Sequence, residues 1–405
     1  MSSSLATYIR KLENEVKARF VGNEEAIHVA ILNLLHHRST LLIRAPRGVG
    51  KSTLMLLLLK GIYGDDFVII SGASEVKRGE VLGRLHIPSL EREGIEKVIW
   101  ATFVKAKGKG LDEVNRLNPY TAANIYHMLQ FGEVWAYGQR YQIGDYTLIA
   151  NENPHDPTTF VHPPPFYDRF DVVVYLRPLS LSEKFKLEDI LEKYGNSLVD
   201  SMPQVLSHED LEEIRNEVSQ VELDVELKGF INLLIRDLQI CIRGKEYSEI
   251  KPPALCEGCH FIREVCSLIR EGPSERATIV LTQLAKAKLW LEGKVTEEDI
   301  LRLAKWVLPH RIVLAKTTMI FRDIDEILRR ERTKMHEREL RKQWYLLKEL
   351  YKKFDRALYA RAAEIALEDP VFAEELIRLE KIWISKGILN KEESLMHYLG
   401  IPEWT

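Results

Sequence analysis

Residues 40–59 constrain the chain more than any other segment. Thr40 to Arg44 is a short apolar strand, Ala45-Pro46-Arg47-Gly48-Val49-Gly50-Lys51-Ser52-Thr53 is a glycine-bearing loop, and Leu54 to Leu59 opens an apolar helix. Strand, loop, Lys-Ser and helix in that order are the context of a phosphate-binding loop. Gly48 and Gly50 allow a tight bend in which successive N–H groups converge on a phosphate, at a helix N-terminus whose dipole already favours anions. Lys51 adds a mobile positive charge for the β- and γ-phosphate oxygens, and the Ser52 hydroxyl is an oxygen ligand of the kind Mg²⁺ prefers. Ala45 stands where the usual pattern has its first glycine.

Such a loop needs a sheet around it, and the first half of the chain supplies one. Further strands are expected at Phe67 to Ser71, Thr147 to Asn151 and Val172 to Leu176, separated by amphipathic stretches such as Glu24 to His36, where Ile27, Ala30, Ile31 and Leu34 recur at helical spacing. This predicts an α/β fold with a mainly parallel sheet covered by helices. After Arg177-Pro178 the strand-like runs stop. Ser182 to Tyr194, His208 to Val218, Glu226 to Ile242 and Ser274 to Leu291 read as helices. From about Arg311 a further helical region begins, with a short heptad seam of Leu340, Trp344, Leu347, Tyr351, Phe354 and Leu358 that suits a docked hairpin better than a free coiled coil.

Composition excludes several classes. With 45% apolar and 29% charged residues among 405, disorder and small disulfide scaffolds are out. A net charge of -3 gives no global argument for nucleic acid or an anionic membrane. Neither a membrane span nor a secretion signal is legible, so a cytoplasmic location is expected.

Downstream stands Leu111-Asp112-Glu113-Val-Asn-Arg116. An aspartate beside a phosphate loop can hold Mg²⁺, and an adjacent glutamate can orient and deprotonate the water that attacks the γ-phosphate. The strand expected before the pair, Ala106-Lys-Gly-Lys-Gly-Leu111, has one apolar residue where several are usual.

Around this pair the motifs fall in one family's order, and residues 15 to 312 resemble the MoxR branch of the AAA+ ATPases. Arg19-Phe-Val21-Gly22 resembles its approach to the adenine pocket, Asp112-Glu-Val-Asn-Arg116 its second nucleotide motif, and Gly132 to Arg140 the β-hairpin that follows. Ala150-Asn-Glu-Asn153-Pro154 is similar to sensor 1, Tyr167-Asp-Arg169-Phe-Asp171 to the arginine-finger segment, and Val295 to Asp299 with Leu308 to Arg311 to the end of the helical lid. The resemblance implies a P-loop core over residues 1–178 and an all-α lid over 179–312; the cysteine-containing insertion at 241–266 within that lid, and the helical C-terminal extension over 313–405, have no counterpart in the family pattern. It implies Mg²⁺-dependent ATP hydrolysis, with Val21, Gly22 and residues Ala45 to Thr53 holding nucleotide, and Ser52 and Asp112 holding the metal. Glu113 would be the base, Asn153 would position the water, Arg276 would act as sensor 2, and Arg169 would reach the neighbouring subunit's site. An arginine supplied in trans requires a ring, six-membered by resemblance. Family members commonly work with a von Willebrand A domain protein as chaperones that remodel complexes, often metalloenzymes.

Cys241, Cys256, Cys259 and Cys266 lie outside that pattern. Four thiolates can close a zinc site or hold an iron–sulfur cluster, and the spacing does not choose between them. The cluster, the hairpin with Trp135, Tyr137 and Arg140, and the basic strip Lys105-Ala-Lys-Gly-Lys109 leave a second reading, a nucleic-acid motor or clamp-type ATPase.

Overall fold

A computed structural model of the chain describes residues 4–157, 159–239, 265–314, 320–338 and 340–401. The chain divides into two compact units, one of residues 1–222 with 283–295, the other of 223–282 with 296–405.

In chain order the first unit contains α1 (Ser4–Lys17), α2 (Glu24–Leu34), β1 (Ser39–Arg44), α3 (Lys51–Tyr63), β2 (Phe67–Ser71), α4 (Arg78–Val81), β3 (Gly83–Leu85), α5 (Ile87–Glu93), β4 (Val98–Trp100), α6 (Thr102–Lys105), β5 (Gly108–Asp112), α7 (Pro119–Phe131), β6 (Glu133–Ala136), β7 (Gln139–Gln142), β8 (Thr147–Glu152), α8 (Pro164–Tyr167), β9 (Val172–Tyr175), α9 (Leu181–Tyr194) and α10 (His208–Gln220). Five of the strands form a parallel sheet in the order β2-β5-β8-β1-β9. The loop after β1 therefore opens at the edge where β5 and β8 also end, which is where parallel sheets place ligands. Register brings the ends together: Ile43 pairs with Asn151, Leu111 with Ala150, and Ser71 with Asp112. The β6–β7 hairpin turns through Tyr137 and Gly138, both at positive φ, as a two-residue loop requires.

The internal strand β5, apolar only at Leu111, is stable for two reasons. Gly108 and Gly110 make room for larger neighbours, since a Cβ at Gly108 would meet the Tyr63 ring at 2.6 Å and one at Gly110 would meet Ile69 at 2.7 Å. Lys109 is fully buried. Its ammonium caps the end of α6, donating to the carbonyls of Phe103, Val104 (3.1 Å) and Ala106, with the Phe103 and Tyr146 rings 5.3 and 5.8 Å away. Burial, with a smaller push from Lys107, lowers its pKa to about 7. The strip Lys105 to Lys109 is consequently not a continuous basic surface.

At the opposite end of the sheet Arg215 of α10 is fully buried and fixes the helix to the strand starts. It donates to Leu34 O at 2.9 Å, Asp145 at 2.8 Å, Thr147 Oγ1 at 2.8 Å and Ser39 Oγ at 3.1 Å. These bonds satisfy a charge that would otherwise be expensive to bury.

The second unit holds α11 (Val225–Gln239), β10 (Ile269–Glu271), the first residues of α12 (Arg276–Glu292), α13 (Glu297–Val307), β11 (Val313–Leu314), α14 (Ile320–Arg338), α15 (Leu340–Lys352), α16 (Arg356–Ala366), α17 (Pro370–Ser385) and α18 (Leu395–Tyr398). The antiparallel pair β10–β11 is an addition to the expected helices. The heptad seam is divided between α15 and α16, which Asp355 separates by capping α16 through Leu358 N–H at 2.9 Å. Their core contains Leu347, Leu350, Tyr359, Phe372, Leu376 and Trp383.

Candidate functional site

Gly48 and Gly50 sit at φ 78° and 87°, left-handed conformations that glycine adopts without strain, and α3 begins immediately at Lys51. Phe20 packs so closely that a Cβ on Gly50 would meet its ring at 2.9 Å. Val21 and Gly22 follow directly, half-buried, with Asn23 bonded through its side chain to the backbone of Arg177. The segment expected at the adenine thus lies against the phosphate loop. Ala45 is buried, Pro46, Arg47 and Gly48 are exposed, and Val49, Lys51, Ser52 and Thr53 are half-buried. Lys51 Nζ rests on Pro46 O at 3.0 Å. Partial burial lowers its pKa, against the pull of Glu113 and Asp112.

Ser52 and Asp112 meet. Ser52 Oγ donates to Asp112 Oδ1 at 2.7 Å, so the two oxygens expected to face a magnesium ion are already adjacent. This donor set, a hydroxyl and a carboxylate beside a phosphate cradle, fits the preference of Mg²⁺ for a few protein oxygens plus phosphate and water.

The residue that organises the pair is Asn151, which sequence reasoning passed over in favour of Asn153. Asn151 is fully buried at the end of β8. Its amide donates to Asp112 Oδ1 at 2.6 Å, with Ser52 Oγ 3.4 Å away, and its oxygen accepts the Glu113 N–H at 3.0 Å. Glu113 takes a left-handed conformation, φ 52°, uncommon for a residue with a side chain. Its carboxylate is 40% exposed and pairs with Arg116 at 2.9 Å. Asn153 is buried just beyond the strand, its Oδ1 accepting from His155 N–H at 3.2 Å and its carbonyl from Asn115 at 2.9 Å.

Asp156 is a second residue that no motif flagged. Almost wholly buried, it accepts Arg47 of the loop at 2.8 Å and Arg116 at 3.0 Å. The hydrogen bond to Asp156, with Glu113 nearby, raises the pKa of Arg116. Through Asp156 the phosphate loop and the acidic segment share one buried carboxylate.

Arg169 follows α8 with its side chain largely covered, 3.4 Å from Asp168, while its carbonyl accepts the Thr40 hydroxyl at 3.0 Å. Arg276 is the first residue of α12, in the second unit. Cys241, Cys256 and Cys259 lie outside the described residues; Cys266 is buried at the start of a single 3₁₀ turn. Arg140 of the hairpin is ion-paired with Glu133 across the strands, and Trp135 and Tyr137 are about half exposed. Among the described residues no helix is long and apolar enough to cross a membrane.

Residues 264–331 match the AAA lid domain. The fold is similar to that of a solved protein from Cytophaga hutchinsonii proposed to be an ATPase, at a TM-score of 0.63 and 22% identity, over 81% of this chain and 95% of that one. No curated protein sequence matches the chain.

Proposed function

We propose that this chain, whose α/β core and helical lid are those of the AAA+ ATPases, hydrolyses ATP as a MoxR-like remodelling machine. The observation that carries the reading is the joint geometry of Ser52, Asp112, Asn151 and Glu113 beside a left-handed glycine loop. In this reading Lys51 and the loop N–H groups bind the β- and γ-phosphates, and Val21 and Gly22 border the base. Ser52 and Asp112 would hold Mg²⁺, which supplies charge neutralisation on the phosphates. Glu113 takes the proton of the attacking water and Asn153 helps place that water. Arg276 would serve as sensor 2 by family resemblance.

Little covalent chemistry is asked of the protein in phosphoryl transfer, so most of the rate comes from placed charge. Arg169 supplies such charge to an adjacent subunit's site, which makes the working form a ring, with six members by family resemblance. The client is a protein complex, reached together with a von Willebrand A domain partner. Support for a nucleic-acid motor is thinner, because Lys109 of the basic strip is inside the sheet and Arg140 is already paired. The test is steady-state ATP hydrolysis that requires Mg²⁺, stops with Glu113→Gln and does not respond to single-stranded or duplex DNA. Stimulation by DNA that weakens steeply with salt would transfer the reading to the motor.

A further inference from the structure

Glu152, the last residue of β8, is 2% exposed yet touches three different parts of the site. Its carbonyl accepts the N–H of Ala45, at the root of the phosphate loop, at 3.4 Å. Its carboxylate faces two ways. Oε1 accepts Arg44 Nε at 2.5 Å, and Oε2 accepts the Tyr167 hydroxyl at 3.2 Å. Arg44 in turn donates to Tyr175 Oη at 3.2 Å and lies over the Tyr167 ring, 4.6 Å from its centroid. Burial opposes the Arg44 charge, but Glu152 and the two tyrosines hold its pKa above the ordinary value. Burial, then Glu152, raises the Tyr167 phenol, which therefore stays a donor.

Tyr167 stands two residues before Arg169. Phe166 packs edge-on to the residues on either side of Asp168-Arg169, Tyr167 at 5.5 Å and Phe170 at 5.6 Å. Beyond Arg169, Asp171 accepts from the Thr40 N–H and hydroxyl at 2.8 and 2.7 Å, at the other end of β1. Among the described residues the arginine segment is fastened at Thr40 and at Glu152, and the Glu152 fastening lies at the nucleotide end of the sheet. A buried ion pair is weak evidence for stability, since an apolar replacement is often as stable. What this one adds is geometry: a fixed link from Arg44 and Ala45 to Tyr167.

We infer that Glu152, clasped between Arg44 and Tyr167, is a positioning residue that couples each subunit's phosphate loop to the arginine it lends to its neighbour. The inference rests on the reading of Arg169 as a finger acting in trans. Tyr167→Phe removes the hydroxyl link and keeps the ring over Arg44.

Mixed assemblies separate the two claims. Glu113→Gln subunits keep Arg169 but cannot turn over; Arg169→Ala subunits keep a complete acidic pair but lend no arginine. Mixing them, with co-assembly checked by native mass spectrometry, restores turnover if the finger acts in trans. Adding Tyr167→Phe to the Glu113→Gln donor should then lower the restored kcat about tenfold, the rate equivalent of one charge-assisted hydrogen bond, with KM for ATP unchanged. The same substitution in the Arg169→Ala recipient should lower it less than about twofold, because the arginine it positions is already gone. Recovery without a donor-specific loss, or equal losses in both arms, overturns the coupling alone. No recovery in confirmed mixed assemblies overturns the finger, and the coupling falls with it.

Discussion

Replacing Asn151 by alanine removes the two hydrogen bonds that hold the acidic pair and touches the phosphate loop only at the longer 3.4 Å contact with Ser52 Oγ. The amide bond to the Asp112 carboxylate, at 2.6 Å, is charge-assisted and contributes about 1.5–3 kcal/mol. The bond from Glu113 N–H, at 3.0 Å, contributes about 1 kcal/mol, and without it a left-handed backbone position loses its restraint. Together these amount to about 3 kcal/mol, which expressed in the transition state is a fall of about 10²-fold in kcat. Ground-state binding through Lys51 and the loop N–H groups does not use Asn151, so the dissociation constant for ATP should change less than about threefold. Steady-state kinetics give kcat and KM, calorimetry gives the affinity, and a thermal melt confirms a folded variant at the assay temperature. A kcat within about threefold of the parent, or equal loss of kcat and affinity, would refute the reasoning.

Two further expectations concern the scaffold under the site. Burial puts the Lys109 amine at about 7, below the ordinary lysine value, so between those values the unfolded chain binds more protons and the group's contribution to stability rises with pH. The melting temperature of the parent relative to Lys109→Met should therefore increase from about pH 6 to about pH 10, and a difference flat in pH would contradict the assignment. Arg215→Met takes the guanidinium from Asp145 and a donor from the buried oxygens of Leu34, Thr147 and Ser39 and should cost about 3–5 kcal/mol in denaturant unfolding; a loss under about 1 kcal/mol would show that these contacts carry little.

What the sequence revealed was what is local. The loop from Ala45 to Thr53 carries its whole logic within nine consecutive residues, and the strands at 67–71, 147–151 and 172–176 are apolar enough to be read directly. The strand 108–112 was not, because its bulk is supplied by Tyr63, Ile69 and Met55 and its lysine finds partners in a helix end. Asn151 was missed for a related reason. Its contact with Asp112 follows from β5 and β8 being neighbours in register, and strand order is not written in either segment. The run of β8 was the available signal: a polar Asn151 follows Leu148, Ile149 and Ala150 inside a strand buried throughout. Asp156, Glu152 and Arg215 likewise find partners about 40 to 180 positions away, separations at which no motif spacing operates.

The central claim is that ATP is gripped by the bend carrying Lys51 and cut with Glu113 as base. Calorimetric titration of ATP with Mg²⁺ into Lys51→Ala and Glu113→Gln, alongside hydrolysis by both, tests it most directly. The account predicts no measurable uptake by Lys51→Ala, and uptake by Glu113→Gln close to that of the parent with turnover lost. Nucleotide uptake by Lys51→Ala equal to the parent's, or undiminished hydrolysis by Glu113→Gln, would contradict it.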